Sequence, residues 1–226
     1  MLKRLALLMF LLALSMGFVP LAVAEDLTSD FDVKHKICLE RIAQDNELAF
    51  EEAMIWQDEG GGRRAKHCVA MALFALGHED EAAHRLDSLA LASDGGTPEM
   101  RADFYAEAAN FWLLAEQPDK ALHSTGEGLK LSEQHVDLRI GHARALAMKG
   151  DYMNAEKHLV YIALQNPNNG AALRYLADTR FKQDQLDRAK IDIEQALLKD
   201  PTSLETALLR GQINEAIRLR DLPPKL

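Results

Sequence analysis

Gly150–Pro167, GDYMNAEKHLVYIALQNP, and Asp184–Pro201, DQLDRAKIDIEQALLKDP, are one 18-residue template written twice, 34 residues apart. Tyr152, Ala155, Leu159 and Pro167 in the first copy become Leu186, Ala189, Ile193 and Pro201 in the second. A fixed period of this length marks stacked supersecondary units, each burying its apolar face against the next. The spacing within the template is helical, and Pro ends each copy because it cannot continue a helix.

Working outward, the small residues extend the array. Ala82, Ala121, Ala155 and Ala189 head the second helix of four units, 39, 34 and 34 residues apart, the extra five lying around Gly95-Gly96-Thr97-Pro98. A side chain this small lets two helices approach to about 8 Å rather than 10 Å. Leu86, Leu159 and Ile193 then fill the space between layers, and Gly77 and Gly150 stand at turns inside their hairpins. The units are predicted at 63–101, 102–135, 136–169 and 170–203. Before them, Phe31–Ala43 and Glu47–Asp58 read as a helical hairpin within a cap of residues 25–62, ended by Gly60-Gly61-Gly62. After them, Leu204–Leu219 reads as a capping helix in a C-terminal segment of 204–226, giving about eleven helices, each touching mainly its neighbours in sequence.

At these residues the chain resembles the tetratricopeptide repeat family, over residues 63–203 and most closely in the last two units. Gly150-Asp151-Tyr152 matches the family's turn between helices. The family's Trp near each unit's start is missing, and its small residue in the first helix is Ala70, Ala109, Ala143 and Ala177. The resemblance implies an all-α, right-handed superhelical solenoid whose first helices line a concave groove for an extended peptide or a partner helix. Helical spacing places His67, Met71 and Phe74 on that face of the first unit, and Ala106, Asn110 and Leu113 on the second. Ile140, Arg144 and Ala147 stand there on the third, and Arg174, Asp178 and Phe181 on the fourth. An apolar strip with Arg144 and Arg174 beyond it suits a partner with hydrophobic anchors and a carboxylate. Equally, Met71, Phe74 and Phe181 suit a core between helices.

Lys3 and Arg4 precede an apolar run, Leu5–Val19, and small residues stand three and one before a cut after Ala24. This is the pattern of a secretory signal peptide, residues 1–24, and it places the mature chain in a bacterial periplasm. Loss of Lys3 and Arg4 takes the net charge from −9 to −11, which disfavours nucleic acid and anionic lipid as partners. Residues 25–62 hold 11 acidic side chains against Lys34, Lys36 and Arg41, a solvated block spread through helical sequence.

Cys38 and Cys68 are the only cysteines. In an exported chain they read as a disulfide tying the cap to the first unit. The alternative is a metal-, haem- or thiol-handling site drawn from Cys38, Cys68, His35 and His67, although neighbouring side chains on a helix diverge by about 100°, which keeps His67 and Cys68 off one ion. Catalytic motifs do not emerge. His78-Glu79-Asp80-Glu81-Ala82 begins like a zinc-protease helix but has Ala82 where the second ligand must stand, and Gly-x-Ser-x-Gly is absent. The reading is a non-enzymatic scaffold binding a protein or peptide, with no metal or cofactor. An envelope hydrolase is the remaining class.

Overall fold

The computed structural model describes residues 22–223, with side chains from Asp30 onward. The apolar run Leu5–Val19 and the last residues from Pro224 lie outside the described residues. Eleven helices are described: α1 (Ala22–Ile42), α2 (Asn46–Asp58), α3 (Gly62–Ala75), α4 (Glu79–Leu91), α5 (Pro98–Leu114), α6 (Pro118–Leu131), α7 (Val136–Met148), α8 (Tyr152–Gln165), α9 (Gly170–Lys182), α10 (Leu186–Lys199) and α11 (Leu204–Arg220). Each packs chiefly on its neighbours in the chain, so the helices form a right-handed superhelical solenoid. Among the described residues no helix is long and apolar enough to cross a membrane.

The small residues are the contact points. Ala70, Ala109, Ala143 and Ala177 on the first helices and Ala82, Ala121, Ala155 and Ala189 on the second are fully buried. Leu86, Leu159 and Ile193 fill the layers as expected. The second unit has Thr125 in that place, and its hydroxyl donates to the Ala121 carbonyl at 2.9 Å, so burial leaves no unsatisfied donor.

The turn inside each hairpin has one geometry in all four units. A left-handed residue follows the first helix, and the next amide reaches back five residues: His78 to the Leu73 carbonyl, Gln117 to Trp112, Asp151 to Leu146 and Gln185 to Arg180. Gly77 and Gly150 supply the positive φ in two units, while Glu116 (φ 57°) and Asp184 (φ 59°) supply it in the others. Sequence alone marks only the glycines.

The second unit's first helix begins at Pro98, four residues before the start expected at 102. Thr97 accepts from the Met100 amide at 3.3 Å and Pro98 occupies the first turn, where its missing N–H costs nothing. At the far end, Thr206 and Ile213 of α11 are buried against the preceding pair. The stripe that would receive a further helix carries Ala207, Arg210, Gly211 and Asn214, where α9, 34 residues earlier, has Leu173, Leu176, Ala177 and Arg180. Arg210, Gly211 and Asn214 are exposed, whereas Leu176 and Ala177 are buried. This is a solvating end.

Candidate functional site: the concave groove

The first helices of the units, α3, α5, α7 and α9, line a concave cavity of about 730 Å³. Of the residues expected there, His67, Met71, Ala106, Asn110, Ile140 and Arg144 line it. Ala147 and Asp178 line an adjoining cavity of about 390 Å³ between α7, α8 and α9, and Arg144 and Tyr175 belong to both. Arg174, also expected in the groove, lines neither cavity; its guanidinium lies over the Tyr175 ring at 4.2 Å.

Three further expected groove residues are placed otherwise. Leu113 is buried in the core, since a helix packed on both flanks has a wider apolar face than the groove stripe alone. Phe74 stacks on Phe111, centroids 4.0 Å apart, and so serves the joint between units. Phe181 packs against the cluster containing Leu173, Ile193 and Leu209.

The N-terminal wall comes from a helix that spacing did not assign to the groove. Asp32 and His35 of α1 line the cavity because α1 packs against α3 as well as α2. Cys38 and Cys68 hold that joint as a disulfide, Cα atoms 6.4 Å apart. Arg64 pairs with Asp32 beside it. His67 links the joint to α5: its Nε2 lies 2.8 Å from Glu107 Oε2 and its Nδ1 lies 2.9 Å from His35 Nε2. A carboxylate only accepts, so Nε2 of a neutral His67 donates to Glu107, and Nδ1 accepts from His35. Burial first, then the nearby His67 and Arg64, lowers the His35 pKa to about 4, so this ring is neutral at pH 7.

The four ligands of the drawn metal site are thus divided. The two sulfurs bond to each other and the two imidazoles hydrogen-bond to each other. Among the described residues no three His, Cys, Asp or Glu side chains are arranged to hold an ion.

The middle of the groove is fixed by α7. His135 caps that helix, its Nδ1 accepting from the Leu138 amide at 3.4 Å, which commits Nε2–H to Asp103 at 2.9 Å. Further along the same helix, Arg144 donates to Asn110 Oδ1 at 2.8 Å and lies 5.0 Å from the Tyr175 ring centre. Among the described residues Arg144 has no carboxylate partner, and neither has Arg63, whose buried Nε is also without a hydrogen-bond partner. Arg63, Glu107 and Tyr175 could not be found from the small-residue register, because they stand a residue or more off the stripe it marks.

No protein-family model matches the chain, and no curated protein matches it. Solved structures do. A tetratricopeptide repeat protein from Parabacteroides merdae superposes with a TM-score of 0.67 at 19% identity, covering 81% of this chain and 72% of that one. The first tetratricopeptide domain of human RPAP3 gives 0.51 at 22% identity, over 55% of this chain and 97% of the other. The first such domain of Spaghetti (RPAP3), bound to the HSP90 peptide SRMEEVD, gives 0.50 at 20% identity, over 54% and 97%. At these identities the likeness establishes the tetratricopeptide fold.

Proposed function

We propose that this protein is a non-enzymatic interaction module, exported to a bacterial periplasm, whose concave groove holds an extended segment of a partner protein in envelope assembly or a respiratory complex. The observation that carries the reading is the groove, which places unpaired guanidinium groups beside Met71, Phe104 and Ile140. Apolar anchors flanked by unpartnered cations suit a segment bearing hydrophobic side chains and carboxylates. The peptide held by the domain of Spaghetti, a protein of the same fold, supports this use of the groove. Export rests on Lys3, Arg4, the apolar run and the small residues Ala22 and Ala24.

A photo-crosslinking residue at position 144, in the groove, and another at Lys190, exposed on a second helix, test it in cells. Capture of one defined partner from position 144 and none from 190 is the expected result. Equal capture from both positions counts against a groove.

A further inference from the structure

We infer that the groove reads a pair of opposite charges, a carboxylate held by Arg144 and a basic group held by Asp178, set side by side on the partner segment. This rests on the groove reading above and adds the chemistry of what the groove selects.

Arg144 and Asp178 stand on adjacent concave helices, α7 and α9, and line the same cavity of about 390 Å³. They do not pair with each other. Arg144 is positioned by Asn110 and by the face of Tyr175, two neutral groups that orient the guanidinium and leave its charge uncompensated. Asp178 is half-buried, and among the described residues its carboxylate has no hydrogen-bond or ion-pair partner. Burial raises its pKa, while the charges of Lys182 and Arg174 pull the other way.

These two cations make no ion pair with Asp178, although Lys182 lines the same cavity. The Lys182 ammonium lies 5.8 Å from the Phe181 ring centre and the Arg174 guanidinium 4.2 Å from that of Tyr175. A half-buried carboxylate without a counter-ion is a cost to the free protein, and a cation brought by a ligand offsets it. The contrast two residues along α9 is direct: Arg180 lies between Glu156 at 2.9 Å and Asp192 at 2.7 Å, fully paired within the fold. Ala147, Met148, Tyr152 and Leu159 give the cavity an apolar wall that suits the aliphatic stem of a lysine or arginine.

The probes are fluorescent heptapeptides, acetylated and amidated so that chain ends carry no charge. They share an apolar frame around a central pair Glu-Lys, Lys-Glu, Glu-Gln, Gln-Lys or Gln-Gln. Anisotropy is expected to show one order of Glu and Lys binding at least about tenfold tighter than Gln-Gln. Arg144→Gln should erase the advantage of Glu and leave that of Lys, and Asp178→Asn should do the reverse, both variants keeping the wild-type circular dichroism. The inference is overturned if Gln-Gln binds as tightly as the better of Glu-Lys and Lys-Glu, or if Asp178→Asn leaves the preference for Lys intact. Ala147→Trp, which fills the cavity, separates the two levels: binding without charge preference that this variant abolishes keeps the groove and sinks the pair. Binding that it leaves untouched, or no binding by any peptide, sinks both.

Discussion

His35 Nε2 and His67 Nδ1 lie 2.9 Å apart and form, beside the Arg64–Asp32 ion pair, a polar bridge between the N-terminal cap helix and the first repeat. Burial lowers the His35 pKa to about 4, with His67 and Arg64 adding to the effect and Asp32 and Glu107 opposing it. An unfolded histidine titrates near 6.5, so between that pH and about 4 the unfolded chain binds the proton and the folded one does not. Stability therefore falls as pH drops through this window. Urea midpoints at pH 7 and pH 4.5 should show the loss, and His35→Gln should reduce it. An unchanged pH dependence in the variant places the acid sensitivity elsewhere.

The Cys38–Cys68 link closes a 30-residue separation. In the chain-entropy account its removal costs about 3–4 kcal/mol. Cys38→Ser with Cys68→Ser should lower Tm by roughly 10 °C for a chain of this size, with amide exchange rising first in α1. Uniform exchange across all units would mean that the link stabilises the array as a whole.

Two glycines in α6 should respond to Ala with opposite signs. A Cβ at Gly128 would stand 2.7 Å from both Leu138 methyls and 3.0 Å from Tyr105 Cβ, whereas nothing lies within 4 Å of one at Gly126. Leu138 is fully buried and has no room to move. Gly128→Ala is expected to destabilise by about 1–3 kcal/mol despite better helix propensity, and Gly126→Ala to stabilise by about 1 kcal/mol. Denaturant midpoints measure both.

Glu116 holds the left-handed turn position that Gly77 and Gly150 hold in other units. For an L side chain that conformation costs about 1–2 kcal/mol, partly offset by the entropy a glycine loses on folding. Glu116→Gly should raise stability by about 0.5–1 kcal/mol, and Gly77→Ala should lower it by about 1 kcal/mol. Equal midpoints in urea for Glu116→Gly and wild type would show that the turn is not strained.

The repeat was legible because its contact residues have a period of their own. Ala82, Ala121, Ala155 and Ala189 mark every hairpin, and all are buried. The groove was legible at His67, Met71, Ala106, Asn110, Ile140 and Arg144, which follow from helical spacing once the first helices are placed. Leu113 and Phe74 went elsewhere because spacing gives a face but not the width of the neighbouring core. Asp32 and His35 were unreadable for a different reason: they reach the groove through packing between α1 and α3, outside the repeat, where no period carries the signal.

The stripe of Ala207, Arg210, Gly211 and Asn214 on α11, exposed at the last three, gives the rod a blunt tip. Head-to-tail growth of such arrays into fibrils is favoured by a greasy surface there, whereas covering this one would strip water from the half-exposed pair of Arg210 and Glu194, 3.9 Å apart. That cost works against successive molecules threading onto one another by this face.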